Sequence, residues 1–303
     1  MPGSRRVAAI DCGTNSLRLL IADIADDTKT DLVREMRVVR LGQGIDRTGA
    51  FAPEALERTL SVTREYGELI STLGAERVRF CATSAARDAS NGEELIDGVE
   101  AILGVRPEII TGEAEARASF LGATRELAGD AVVADIGGGS TELVQGTDGD
   151  VTWATSLDVG SVRLTERFLH DDPPTVQQIT ACEEHLDAVL APALARLEPV
   201  TAFVGVAGTI TTAAAHALAL PTYDSARIHG ARLAVNELRS ACHSLVAMPV
   251  ADRRRLPFMH PGRADVIGAG ALILDRILAG VPWKTDIVTI SEQDILDGIA
   301  WQA

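Results

Sequence analysis

Lysine is nearly absent from this chain: Lys29 and Lys284 are the only two among 303 residues, and arginine carries the rest of the basic charge. Basic residues are also outnumbered, 28 against 43 acidic ones, for a formal net charge of −15. That balance excludes a non-specific nucleic-acid binder, which needs a basic footprint. It does not exclude a polyanionic substrate, because backbone amides, a few arginines and a cation can make one site locally positive. Cysteine is scarce too. Cys12, Cys81, Cys182 and Cys242 show no zinc-like or redox-like spacing, so they read as small buried side chains of a reduced, cytoplasmic protein. His170, His185, His216, His229, His243 and His260 lack metal-ligand spacing and read as structural or surface residues. Residues 1–6 are too short and too polar for a signal peptide. No low-complexity linker interrupts the chain.

One long stretch lacks charge. Residues 199–223 contain no Asp, Glu, Lys or Arg, and length alone would permit a membrane span. Gly205, Gly208, Thr209, Thr211, Thr212 and His216 inside it argue instead for a buried strand, a glycine turn and a small-residue helix, so no membrane association is expected. The one basic cluster, Arg253-Arg254-Arg255, reads as a solvated turn in preference to a track for a polyanion.

What is present fits about two α/β domains, given the length and a hydrophobic fraction of 46%. Apolar runs at 6–10, 17–24, 31–41, 78–82, 107–110 and 201–206 read as strands. Helical spacing appears at 53–73, with Pro53 in the first turn, and at 92–103, 113–121, 180–197, 235–245 and 264–278. A last helix is expected over 291–301, with Ser291 as its N-cap.

The strongest organisational signal is a duplication. VAAIDCGTNSLRLLIAD near the start and AVVADIGGGSTELVQG from Ala131 share a pattern of strand, aspartate, glycine-hydroxyl turn and strand. The match sets Asp11 beside Asp135, Gly13 beside Gly137 and Ser16 near Ser140. Two related lobes are implied, 1–124 and 125–290, with the turns facing across an interlobe cleft and the helix within 291–303 packing back on the first lobe. In the first turn, Gly13 lets backbone amides approach an anion, Thr14, Asn15 and Ser16 add donors, and Arg18 offers a clamp; Gly, Asn and Ser are also ordinary hairpin residues. In the second turn, Gly137, Gly138 and Gly139 weaken both flanking strands. That is unneeded in a plain hairpin but useful where a ligand meets the backbone, with Ser140 and Thr141 beside it. Asp135 and Glu142 are hard oxygen ligands suited to Mg²⁺.

DCGTNSLR, ATSAAR, TGEAEAR, DIGGGSTEL, LDVGSVRLTE and GVAGTITTAAA occur in this order over nearly the whole chain. Together they resemble the exopolyphosphatase/guanosine-pentaphosphate phosphatase (Ppx/GppA) family, a short form without the C-terminal extension of larger members. The resemblance implies an α/β fold of two duplicated RNase H-like lobes of the actin/Hsp70/sugar-kinase superfamily. It implies Glu115 as the catalytic carboxylate that activates water, although Ala114 stands where the family usually has a second glutamate. It further implies phosphate contact by Arg87 and by Asp11, Gly13, Thr14, Asn15, Ser16, Arg18 and 137–141, and Mg²⁺, with Mn²⁺ as a substitute, on Asp135 and Glu142. Gly208 and Thr209 match a second-lobe glycine turn of the superfamily. The expected substrate is inorganic polyphosphate of short length, or alternatively guanosine pentaphosphate, acted on by a homodimer. A superfamily kinase or ATPase and a non-catalytic polyphosphate sensor are the readings from other classes.

Overall fold

The computed structural model describes residues 4–303. The chain divides into two compact units, Met1–Gly122 with Ile295–Ala303, and Ala123–Asp294.

The first unit opens with β1 (Arg5–Cys12), β2 (Ser16–Ala25) and β3 (Thr28–Val38), followed by α1 (Ile45–Thr48), α2 (Pro53–Leu73) and β4 (Arg77–Ala82). It continues with α3 (Ser84–Asp88), α4 (Gly92–Leu103), β5 (Glu108–Ile109) and α5 (Gly112–Thr124). The sheet order is β3-β2-β1-β4-β5, with β1–β2–β3 antiparallel and β1–β4–β5 parallel. Successive strand residues point to opposite faces, and both faces are buried. Ala8, Ile10, Leu17, Leu19 and Ile21 pack with Leu56, Tyr66, Ile70, Leu95 and Val99 of α2 and α4. Val7, Ala9, Leu20, Ala22 and Ile24 pack on the other face with Ala118 and residues 295–300. The edge strand β3 is charged and largely solvated, which keeps its unpaired backbone from recruiting another strand.

The second unit contains β6 (Asp130–Ile136), β7 (Thr141–Thr147), β8 (Asp150–Leu157), α6 (Ser161–Phe168), α7 (Val176–Leu194), β9 (Phe203–Val206) and α8 (Ala207–Ala217). Then come α9 (Ser225–Ile228), β10 (Arg232–Ala234), α10 (Val235–Ala247), α11 (Val250–Arg253), α12 (Ile267–Gly280) and β11 (Ile287–Ile290). Its sheet runs β10-β11-β9-β6-β7-β8. Read from β8, this repeats the first sheet: three antiparallel strands, then two parallel ones, with β10 added at the edge. The duplication legible in the two hairpins is therefore a duplication of whole RNase H-like sheets. The last helix, α13 (Ile295–Gln302), belongs to the first unit.

The uncharged stretch near residue 200 folds as β9 and α8, and no helix among the described residues is long and apolar enough to cross a membrane. Ser291 does not cap α13: the helix starts at Ile295, and the Ser291 hydroxyl donates to Gln293 O in a local turn. The basic cluster also differs from expectation. Arg254 and Arg255 are exposed, but Arg253 is 3% exposed and donates to the carbonyls of Leu245 (2.7 Å), Val246 (3.1 Å) and Ala264 (3.2 Å). Truncating it orphans three buried acceptors. Arg253→Ala is expected to lower stability by about 3 kcal/mol in thermal unfolding, and Arg254→Ala by no more than about 0.5 kcal/mol.

Candidate active site

In the first hairpin, Gly13 N–H donates to Ser16 O (3.0 Å) and closes the turn. The Thr14 carbonyl accepts from Gly42 N–H (2.8 Å), and the Asn15 carbonyl from Val39 and Arg40 N–H (3.0 and 2.9 Å). The acceptors that would repel an anion are thus already engaged. Asp11 faces Arg18 across the β1–β2 ladder, and the Arg18 Nε and Nη2 groups lie 2.8 and 2.7 Å from Asp11 Oδ2. Cys12 is 1% exposed and burial pushes its thiol well above the ordinary range, so it offers no thiolate nucleophile beside this turn.

The second hairpin repeats the construction: Gly137 N–H donates to Ser140 O (3.0 Å), and Asp135 faces Glu142 where Asp11 faces Arg18. A cation has been replaced by an acid. Asp135 and Glu142 are 6% and 1% exposed, and Ser156 Oγ donates to Glu142 Oε1 (2.6 Å). Like charges directly opposed across a ladder are unfavourable, so this pair fits a bound cation. Among the described residues, no group of three or more His, Cys, Asp or Glu forms a closed metal cage. Two opposed carboxylates are a donor set compatible with an ion such as Mg²⁺, which takes one or two carboxylates and keeps water and phosphate oxygens.

The carbonyls of the triple-glycine turn are taken up as well, by a segment to which no role was assigned from sequence. Gly137 O accepts from Ser161 N–H (3.0 Å) and Gly138 O from Val162 N–H (2.9 Å) and Arg163 N–H (3.2 Å), while Gly139 O accepts from Arg163 Nε (2.8 Å). The first turn of α6 thus neutralises all three acceptors, leaving donors to define the turn's polarity. Contact is so close that a Cβ on Gly160 would sit 2.4 Å from Gly138 C and O. The sequence marked this segment only within the stretch LDVGSVRLTE; its partner in space was not legible. The Thr141 hydroxyl, 0% exposed as a residue, donates to Val159 O (2.7 Å) and so ties β7 to the same segment.

Two motifs far apart in sequence meet in the first unit. Arg87 Nη1, from α3, donates to Glu115 Oε2 (2.7 Å) and to Ile110 O (3.0 Å). Both bonds use one nitrogen, so Nε and Nη2 keep the geometry needed to fork onto a phosphate. Thr111 caps α5: Ala114 N–H donates to Thr111 Oγ1 (3.2 Å). Glu113 and Arg117 pair with each other one turn apart on the exposed face (2.9 Å), whereas Glu115 is 8% exposed and meets Arg87. Ala114 is exposed beside them. In the second unit, Gly208 and Thr209 lie in the first turn of α8, with the Arg263 guanidinium over Gly208.

Comparison with known proteins agrees with this construction. The model of the Ppx/GppA phosphatase family matches residues 20–300. The chain is 47% identical to exopolyphosphatase 2 of Mycobacterium tuberculosis over 97% of both proteins. Among solved structures, it is similar to the PPX-GPPA enzyme of Aquifex aeolicus (34% identity, TM-score 0.83, 99% of this chain and 100% of that one). It is also similar to an exopolyphosphatase of Cytophaga hutchinsonii (28% identity, TM-score 0.91, 98% of this chain and 97% of that one). With the duplicated sheets, the two glycine turns and the family match over nearly its whole length, the chain belongs to the Ppx/GppA phosphatases and is an enzyme of that hydrolase family.

Proposed function

We propose that this enzyme removes the terminal phosphate of inorganic polyphosphate, with Glu115 activating the attacking water. The observation that carries the reading is the Glu115–Arg87 pair: a mostly buried carboxylate held by a guanidinium that keeps two nitrogens for substrate. Phosphoryl transfer asks little covalent chemistry of a protein and mainly needs positioning and charge neutralisation. In the proposed step, a Glu115 carboxylate oxygen accepts the proton of a water as its oxygen bonds to the terminal phosphorus. The bond from that phosphorus to the bridging oxygen breaks, and its electron pair leaves with the shortened chain. Arg87 holds the terminal phosphate through Nε and Nη2. In each unit taken by itself, the amides of the glycine turn, beside carbonyls engaged elsewhere, are suited to phosphate oxygens, with Thr14, Asn15 and Ser16 in the first turn and Ser140 in the second. Arg18 orients Asp11. Asp135 and Glu142 would hold Mg²⁺, which supplies charge neutralisation for the phosphate oxygens.

A preference for short chains, cytoplasmic location and a homodimeric state belong to the same proposal. The test measures orthophosphate release from polyphosphates of defined length and from guanosine pentaphosphate, each with Mg²⁺ and with EDTA. Release from polyphosphate, fastest for short chains, abolished by EDTA and restored by Mg²⁺, is expected. Release from guanosine pentaphosphate alone would move the substrate to the alternative, and EDTA-insensitive turnover would overturn the metal assignment.

A further inference from the structure

Helix α13 lies against the backbone that carries the Arg87–Glu115 pair, although none of its residues is part of that pair. Ile295, Leu296, Ile299 and Ala300 form one apolar cluster with Ile110 and Ala118. Ile110 supplies the carbonyl that Arg87 Nη1 grips. Ala118 is one turn along α5 from Glu115. The approach is backbone to backbone: a Cβ added to Gly298 would lie 1.9 Å from Ala118 O and 2.6 Å from Ala118 C, atoms with no rotamer to yield. The neighbouring residue fastens the helix. Asp297, 0% exposed, accepts from Arg34 Nη1 (3.2 Å) and lies 3.1 Å from Lys29 Nζ, both on β3. One of the chain's two lysines is thus spent on this latch.

We infer that α13 sets the position of Glu115, with Gly298 and Asp297 as positioning residues for that carboxylate. The apolar cluster fixes Ile110 and Ala118 from one side, and the missing side chain at 298 fixes how close α5 stands. The latch to β3 holds α13 in register. Displacing α5 moves the carboxylate relative to the water it must orient, and a misplacement near 1 Å can cost about 10²-fold in rate. The inference rests on Glu115 being the base.

The experiment is a double-mutant comparison on the full-length protein with polyphosphate as substrate. Gly298→Ala is expected to lower kcat by roughly 10–10²-fold with KM within about threefold, because the chemistry is mispositioned and not the hold on substrate. In a Glu115→Gln background the same substitution is expected to cost no more than about twofold, since the group it misplaces is gone. Parent-like kcat in Gly298→Ala, a loss confined to KM, or an equal fold-loss in the Glu115→Gln background would each overturn the inference. Should Gly298→Ala not fold, Asp297→Asn, which loosens the latch without changing volume, is read by the same criteria. The two readings fail differently. Full turnover in Glu115→Gln alone removes the base and this inference with it, whereas loss in Glu115→Gln that multiplies with Gly298→Ala overturns only the role of α13.

Discussion

Glu115→Gln should lower kcat for polyphosphate hydrolysis by roughly 10²–10⁴-fold, the usual contribution of a positioned general base. Gln keeps the volume and can still meet Arg87, so the fold and the KM are expected to change little. Glu113 provides the control two residues away. It pairs with Arg117 on the exposed side of α5, and Glu113→Gln should stay within about twofold of the parent, in line with the small worth of exposed ion pairs. Steady-state orthophosphate release from both variants separates the two carboxylates. Comparable losses would mean that charge near the start of α5 matters and that no one carboxylate is the base.

Gly160→Ala should also be damaging, by another route. Its Cβ would meet Gly138 C, Gly138 O and Gly139 N at 2.4–2.5 Å, and none of these backbone atoms can move without displacing the triple-glycine turn. Strain from overpacking is commonly about 1–3 kcal/mol, and here it falls on the segment whose three carbonyls α6 holds. Freed carbonyls would turn acceptors toward an anion, so the loss should appear as a rise in KM of about tenfold or more, since a net 1.4 kcal/mol of lost binding is a factor of ten. Thermal unfolding of the same variant should show lowered stability. Parent-like KM would mean the turn does not receive phosphate.

Local signals explain why some elements were legible. Helices α2 and α4 run over 53–73 and 92–103 as expected, because Pro53 opens one and Gly74 and Gly104, with positive φ, close them. Helix α7 starts at Val176, ahead of the expected residue 180, because Thr175 and Gln178 form a capping box that reaches back past the apolar pattern. Ser291 looked like a cap because serine is a good one, but its hydroxyl found a nearer partner in Gln293. Arg253 looked solvated because nothing in a run of three arginines marks one as bent inward to three carbonyls.

The same division holds for the candidate site. The glycine turns announce themselves, since glycine between apolar strands has few structural uses. The residues of ATSAAR and TGEAEAR were legible singly, but their meeting is a tertiary fact: Arg87 and Glu115 lie on separate helices, α3 and α5. Arg18 was legible as a clamp for phosphate, and its bond to Asp11 depends on strand register. Gly160 and Arg163 carried no legible role because their function is to hold other backbone in place.

The proposed step is attack by a Glu115-activated water on the terminal phosphorus of polyphosphate. Hydrolysis of a short polyphosphate of defined length in ¹⁸O-water tests it most directly, with products resolved by mass spectrometry. The expected products are orthophosphate carrying one ¹⁸O per turnover and an unlabelled chain one phosphate shorter, with both signals reduced together in Glu115→Gln. Label in the shortened chain, cleavage into internal fragments, or no orthophosphate at all would contradict it.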